Sequence, residues 1–231
     1  MAETKHAVKS DDNQVVIDRA RDFWGRNSKL VLIASAVVIL GCAGYLAYKY
    51  WVKLPKEQKA IEAMFKAEDY YRADSLNVAL NGDGINAGFL KIIKSYSGTE
   101  AANLANFYAG SILLKQGKPA DAVKYLKEFS TDAKQIQARA YKLLGDAYAE
   151  QGKNGDALDA YKKAAHHFEK DADNASEYLF MAAYFADRVA KNQKEAIDLF
   201  KELKQKYGRT TQRGAEADKF LAQLGVYSDT K

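Results

Sequence analysis

The chain has few of the residues that carry most enzymatic and metal chemistry. It has 3 histidines and 1 cysteine in 231 residues, and a single cysteine cannot form a disulfide within the chain, so it says nothing about the redox compartment. The sequence also lacks a glycine-rich phosphate loop, a nucleophile elbow and a zinc-binding pattern. We therefore expect neither an enzyme nor a bound cofactor or metal.

The histidines do not change this expectation. His6 lies in a polar N-terminal arm, whereas His166 and His167 are neighbours in a helical stretch, where adjacent side chains point about 100° apart. We expect no metal-ligating partner three or four residues from either of them. An exposed helix end is the expected environment of this pair.

The chain is also poor in proline and in blocks of one charge. Only 2 prolines in 231 residues, together with abundant alanine and lysine, favour helices over strands. The 35 basic and 30 acidic residues are interspersed and leave a formal net charge of +5. Such mixing is typical of a solvated surface, and no DNA- or RNA-binding motif occurs. Neither nucleic acid nor a small-molecule substrate is expected as a partner.

One long hydrophobic run is present, from Leu30 to Tyr48, and it contains no charged residue. As a helix rising about 1.5 Å per residue it would reach about 28 Å, close to the hydrocarbon thickness of a bilayer. The two tryptophans, Trp24 and Trp51, flank the run, as aromatic residues do at membrane interfaces. We predict a transmembrane helix over residues 30–48.

The same run contains Ile39-Leu40-Gly41-Cys42, which is similar to the cleavage site of a bacterial lipoprotein. A lipoprotein signal begins with a short basic segment and ends its apolar stretch at the cysteine. Here 29 mostly polar residues precede the run, and apolar residues continue to Tyr48. A simple secretory cut after Ala43 meets the same objections. An uncut span is favoured over both alternatives.

Small residues cluster in the second half of the predicted span. Such residues allow transmembrane helices to approach closely, so they form a candidate packing face, although small residues are also common in spans that pack against nothing. The face consists of Gly41, Gly44 and Ala47.

Residues 1–29 are predicted to form a cytoplasmic arm. Its first 12 residues are polar and expected to be disordered. A short amphipathic helix is expected from Gln14 to Arg26, lying at the inner leaflet or docking onto a membrane partner. Its apolar face would carry Val16, Ala20, Phe23 and Trp24.

The charged residues on the two sides of the span do not decide its orientation. Six lysines and arginines precede it and five follow closely, so the positive-inside count decides little. Because a single N-terminal span commonly acts as its own export signal, we expect a cytoplasmic N-terminus and an exported C-terminal domain.

Residues 49–100 are predicted to form a helical connector and a first helix pair. One helix is expected from Pro55 to about Leu80, where Asn81-Gly82 would end it. A second is expected from Ile85 to Tyr96.

Residues 101–231 contain an internal repeat. The segments Asn106–Phe129 and Tyr141–Ala164 align at an offset of 35 residues, and Phe180–Leu203 aligns more loosely. The matched pairs are Gly110 with Gly145, Gly117 with Gly152, Ala122 with Ala157, and Leu126 with Tyr161, and in the third segment Asn192, Ala196 and Phe200 stand near the corresponding positions.

These segments resemble the tetratricopeptide repeat, a pair of antiparallel helices. In this interpretation Gly110 and Gly145 allow close helix packing, and Gly117 and Gly152 end the first helix with a left-handed turn. The predicted fold is all-α, with one N-terminal transmembrane helix followed by a tetratricopeptide-repeat α-solenoid of about three to four helix pairs. An irregular helical bundle is the alternative. A capping helix is expected from Ala215 to Leu224, with Phe220, Leu221 and Leu224 inward.

The first helices of such pairs line a groove that binds peptides or helices. Some cytosolic tetratricopeptide co-chaperones clamp the C-terminus of a chaperone with a lysine and an asparagine. This chain has Phe107 and Ser111 at those positions, which argues against a cytosolic adaptor of this type. The predicted protein-binding groove consists of Asn103, Phe107, Ser111, Arg139, Lys142, Asp146, Tyr178 and Ala182.

The layout as a whole resembles the ancillary subunit of the SecYEG translocon in Gram-negative bacteria. The residues that carry the resemblance are Phe23-Trp24, Asn27-Ser28-Lys29 as a turn, the small residues from Gly41 to Ala47, Tyr50-Trp51, and the segment SGTEAANLANFYAGSILLKQGKPADAVKYL. The segment around Leu76 to Gly88 and the long helix before Ser176 depart from that family's pattern.

The resemblance implies a single-pass protein of the bacterial inner membrane, with the repeats in the periplasm. There they would hold periplasmic chaperones or secretory clients near the SecYEG-type translocon. An envelope scaffold for outer-membrane or cell-division assemblies, with the span only a tether, is the alternative. A eukaryotic organellar import receptor, with its repeats in the cytosol, is a third.

Overall fold

A computed structural model describes residues 11–227, with side chains described from Gln14 onward. The expected disordered arm and His6 therefore lie largely outside the described residues. The chain divides into two compact units, Met1–Pro55 and Lys56–Lys231. The predicted boundaries after residues 29, 48 and 100 stay predictions.

The first unit contains one long helix, α1 (Asp11–Tyr48), followed by a π-helical segment, Lys49–Lys53. The separate arm helix and the turn at Asn27-Ser28-Lys29 are not present, because α1 continues through both. The Asn27 side-chain amide donates to the carbonyl oxygen of Phe23 at 3.0 Å, one helical turn back, and no proline interrupts the helix. The helix contains a stretch long and apolar enough to cross a membrane, and none of that stretch is buried.

The second unit is built from helices that pack pairwise. In chain order they are α2 (Leu54–Arg72, which begins at the unit boundary), α3 (Leu76–Asn81), α4 (Phe89–Ser95), α5 (Glu100–Lys115), α6 (Pro119–Glu128), α7 (Lys134–Glu150), α8 (Asn154–His167), α9 (Ala172–Arg188), α10 (Gln193–Tyr207) and α11 (Gln212–Gln223). Within residues 11–227 no β-strand occurs, apart from an isolated bridge between Gly82 and Ala87.

The single helix predicted from Pro55 to about Leu80 is divided into α2 and α3 by a break at residues 73–75, while the predicted end at Asn81-Gly82 agrees with the end of α3. α2 ends at Arg72, where Asp74 adopts a left-handed φ of 53°. The Ser75 amide donates to the Tyr70 carbonyl at 2.9 Å, a hydrogen bond typical of a helix end with a left-handed residue. Aspartate tolerates this conformation better than most residues, but the sequence pattern around it is still helical.

The helix predicted from Ile85 begins only at Phe89. Before it, the Asp83 carboxylate accepts hydrogen bonds from the amides of Ile85 and Asn86 and from the Tyr70 hydroxyl. These bonds, the Tyr70 hydroxyl foremost, hold the pKa of Asp83 well below its usual range. The side chain thus satisfies backbone donors that a helix would otherwise use.

The repeat glycines have the predicted roles. A Cβ atom on Gly110 would lie 2.5 Å from Cγ of Leu126, and one on Gly145 would lie 2.5 Å from Cδ1 of Tyr161. Gly117 and Gly152 have φ values of 68° and 70°, so they end α5 and α7 in the left-handed region as predicted. The paired alanines Ala122, Ala157 and Ala196 are completely buried.

The third helix pair uses an unexpected residue at this turn. Lys191, not Asn192, adopts the left-handed conformation, with a φ of 55°. Asn192 instead caps α10, where its side chain accepts a hydrogen bond from the Glu195 amide at 3.2 Å. A non-glycine residue in the left-handed region costs about 1–2 kcal/mol.

Replacing Lys191 with glycine should therefore stabilise the protein by about 0.5–1 kcal/mol, after the larger unfolded-state entropy of glycine is subtracted. The measurement is urea unfolding of the full chain in detergent micelles. The control, Lys163→Gly on the exposed face of α8, should lose about 0.5–1 kcal/mol. Equal destabilisation by both substitutions would contradict the proposed strain.

The first helix of the second unit is fastened to α5 by a carboxylate. The two oxygens of Glu57 accept hydrogen bonds from the amides of Glu100 and Ala101 at 2.9 and 3.0 Å, and the Thr99 hydroxyl accepts one from the Ala102 amide at 3.1 Å. Three of the four unpaired amides at this helix start are thus satisfied, and the negative charge suits the helix dipole.

Two hydrophobic clusters hold the second unit together. One surrounds Phe89, Ile92 and Ile112, and the other surrounds Leu179, Phe200 and Leu203. The last helix, α11, contributes buried Leu221 and partly buried Phe220 to the second cluster, and Leu224, the residue after the helix, packs there too. These are the inward positions predicted for a capping helix.

Candidate protein-binding cleft

An open cleft of about 520 Å³ lies in the second unit, where α2, α5, α7 and α8 meet. We call it the central cleft. Leucine and alanine side chains provide its apolar part and charged side chains surround them. Its lining consists of Tyr71, Ser111, Leu114, Lys115, Arg139, Leu143, Asp146, Ala149, Glu150 and Tyr161.

A hydrogen-bonded carboxylate lies at one side of the central cleft. Asp146 accepts hydrogen bonds from the Tyr161 hydroxyl at 3.0 Å and from the Lys142 ammonium at 2.7 Å. Burial of the ring, and then the negative charge of Asp146, raise the pKa of Tyr161 well above its usual range. The phenol therefore stays protonated and donates to Asp146 across the physiological pH range, which fixes both side chains before any partner binds.

Cations stacked on aromatic rings form another part of the wall. The Lys115 ammonium lies 5.5 Å from the centre of the Tyr71 ring, and the Arg139 guanidinium lies 5.9 Å from that of Phe107. The Tyr71 hydroxyl and the Ser111 hydroxyl are 3.3 Å apart. Exposed cations and apolar side chains held side by side can bind an extended segment that carries both an apolar and an acidic residue.

The structure brings only part of the predicted groove together. Ser111, Arg139 and Asp146 line the central cleft, and Lys142 reaches it through its ion pair with Asp146. Phe107 is 7% exposed and lies beneath Arg139.

The other predicted groove residues are placed elsewhere. Asn103 exchanges hydrogen bonds with the backbone of Ser130 at 2.6 and 3.2 Å. Tyr178 lines a separate small cavity beside Phe168. Ala182 has no exposed surface, so the structure removes it from the accessible face; it packs between helices instead.

Sequence reasoning missed several lining residues that the repeat register could have supplied. Leu114 and Lys115 stand 35 residues before Ala149 and Glu150, the offset already seen for the glycines. Tyr71 could not have been found this way, because it comes from α2, which lies outside the repeated segments.

One cluster of possible metal ligands contradicts an expectation from the sequence. Glu169 lies three residues after His166, and ligand atoms of His166, Glu169 and Glu202 all lie within 4.8 Å of one another. The Lys206 ammonium lies 2.7 Å from Glu169 and 3.0 Å from Glu202. Burial of Glu202 opposes its ionisation, but hydrogen bonds from Lys206 and His166 outweigh this effect. The pKa of Glu202 is therefore lowered. The cluster is an ion-paired contact between α8 and α10.

A family model described as the tetratricopeptide repeat matches residues 107–177 and again residues 143–209. The two matches overlap from residue 143 to residue 177, which covers most of the second helix pair and the start of α9. No curated protein and no solved structure matches the chain. The repeats identify the second unit as a helical solenoid of the kind that mediates protein–protein contacts.

Proposed function

We propose that this tetratricopeptide-repeat protein is a membrane-anchored adaptor that holds partner proteins at a membrane surface. The observation that carries the proposal is the presence, in one chain, of an unburied helix of membrane-spanning length and a solenoid with an open cleft. An apolar helix with no protein around it is unfavourable in water and favourable in a bilayer, where its backbone is self-satisfied.

The second part of the proposal names the membrane, the orientation of the chain and the class of partner. The likeness of the anchor to that of the ancillary SecYEG subunit supports an inner-membrane protein with a cytoplasmic N-terminus and a periplasmic solenoid. The solenoid would hold chaperones or secretory clients near the translocon. Gly41, Gly44 and Ala47 support docking of the span, because their small side chains leave a flat surface along one part of the helix. Another helix can therefore approach this face closely.

Site-specific photo-crosslinking tests the docking. A photoreactive residue at Gly44 or Ala47 should capture translocon subunits, and the same residue at Leu46, about 140° away from Gly41 around the helix, should capture lipid. Capture of lipid alone at all three positions would contradict docking, and the anchor would then be only a tether.

Two further measurements separate the parts of the proposal. Proteolysis of intact spheroplasts should remove the solenoid, and its protection would overturn the orientation. If the span docks, exchanging residues 30–48 for an unrelated span should abolish the holding of chaperones or clients near the translocon. If the protein is an envelope scaffold with a simple tether, the exchange should leave its scaffold function intact.

A further inference from the structure

A second cleft, of about 670 Å³, lies between α10 and α11, apart from the central cleft. We call it the end cleft. Leu221 and Val226 supply apolar surface, and Tyr227, which is 78% exposed, forms one wall. The remaining wall is basic and includes Lys201, Lys204 and Arg209.

The basic side chains of the end cleft are only partly neutralised. Lys204 forms an ion pair with Asp218 at 2.6 Å, and Asp218 is the single carboxylate in the lining. Lys206, at the edge, is paired with Glu169 and Glu202. Lys201 and Arg209 form no ion pair with any residue among 11–227. Among the described residues, the end cleft therefore has more positive than negative charge, beside an apolar floor.

The repeat register indicates what would neutralise this charge. Ala157 and Tyr161 in α8 correspond to Ala196 and Phe200 in α10, at an offset of 39 residues. The same offset relates Lys162 to Lys201. Each of these two lysines thus occupies the same place on the second helix of its pair.

In the preceding pair that place is covered. Lys162 forms an ion pair at 2.6 Å with Glu195, and His166 lies 2.8 Å from Glu202. Glu195 and Glu202 stand seven residues apart on α10, so α10 meets α8 with two glutamates on one face, two turns apart. No helix within residues 11–227 covers Lys201 in the same manner.

We propose that the end cleft binds an acidic amphipathic helix of a partner protein, in the place that a further second helix would take. Its glutamates would meet Lys201 and Arg209, and its apolar side chains would meet Leu221, Val226 and Tyr227. The neighbouring face of α11 carries exposed Lys219 and Gln223, which suits a charged partner better than an apolar one. This surface is separate from the central cleft and does not depend on how that cleft is used.

Fluorescence anisotropy tests the binding, with the full chain held in non-ionic detergent micelles. The probe is a labelled helical peptide of the length of α10, 15 residues, with glutamates seven residues apart and leucines on the adjoining face. Lys201→Glu and Arg209→Glu should each weaken binding about tenfold or more, and added salt should weaken wild-type binding. The control Lys163→Glu makes the same charge change on an exposed part of α8 and should leave binding unchanged.

Other outcomes would overturn the proposal. Equal binding of a peptide with glutamine in place of each glutamate would show that charge does not select the partner. Displacement of the peptide by soluble dihexanoyl phosphatidylglycerol at similar concentration would assign the end cleft to lipid headgroups. Self-association that is lost in Lys201→Glu would make the occupant a second copy of this chain. None of these results bears on anchoring or on the central cleft, so failure here leaves the proposed function standing.

Discussion

Replacing Gly214 with alanine should detach the capping helix and cost about 3 kcal/mol of stability. A Cβ atom at this position would fall well within 3.0 Å of the carbonyl oxygen and carbon of Tyr207 and of the Gly208 amide nitrogen. All three are backbone atoms, so no change of rotamer can relieve the clash. The start of α11 would have to move away from the end of α10.

This movement would open one side of the second hydrophobic cluster. Leu203 and Ala217 have no exposed surface, and Leu221 is 4% exposed; displacement of α11 would hydrate all three. A loss of about 3 kcal/mol should lower the melting temperature by roughly 6–12 °C in a domain of this size.

Gly155 provides the matched control. It lies in the first turn of α8, and a Cβ atom there would meet nothing within 4 Å. Gly155→Ala should be neutral or should stabilise by up to about 1 kcal/mol, because alanine has the higher helix propensity. Thermal unfolding followed by circular dichroism measures both variants. Indistinguishable melting temperatures would show that the backbone contact at Gly214 does not hold the cap.

The repeats were predictable because packing restricts their residue types. Close approach of two helices requires Gly110 and Gly145, and room at the crossing requires Ala122 and Ala157, so these positions identify the fold from the letters alone. The fold class is confirmed. The left-handed conformation of Lys191 was not predicted, because it depends on the positions of α9 and α10 and lysine has no preference for it.

The region between α2 and α4 was less predictable for a different reason. The helical pattern continues past Asp74, and only the fold shows that this residue ends α2. In the next loop, one carboxylate, Asp83, organises the turn through several hydrogen bonds. Such bonds depend on geometry that periodicity does not encode.

The sequence predicted those residues of the central cleft that lie at repeat positions, and missed those that depend on packing outside the repeats. Arg139 and Asp146 follow from the helical face that contains the repeat positions. Tyr71 depends on how α2 packs against α5, which no repeat position specifies. Ala182 was misplaced because the third pair has a different spacing, so the register of the first two pairs does not carry over to α9.

Placing two arginines in the apolar part of α1 should remove the protein from the membrane. Ala36 and Leu40 lie one turn apart near the middle of residues 30–48, and both are exposed along the helix. On scales derived from insertion experiments, each arginine at the centre of a span costs about 2.5–3.5 kcal/mol, so Ala36→Arg with Leu40→Arg should cost about 5–7 kcal/mol. Alkaline carbonate extraction of membranes should then release the doubly substituted protein and retain the wild type.

The control places the same charges outside the predicted span. Val15→Arg with Ile17→Arg changes exposed positions of the same helix and should leave the protein in the membrane pellet, since these residues need not enter the hydrocarbon. Retention of the Ala36, Leu40 variant in the pellet would show that something other than α1 holds the chain.

Cys42→Ala tests the alternative that the chain is a lipoprotein, cut before Cys42 and lipidated on its sulfur. An uncut span predicts unchanged retention in the membrane pellet and an intact chain by mass spectrometry, because Cys42 is then one small residue among several. A lipoprotein would instead give a wild-type chain that begins at a lipidated Cys42, and the substitution would shift the mass to that of the uncut chain.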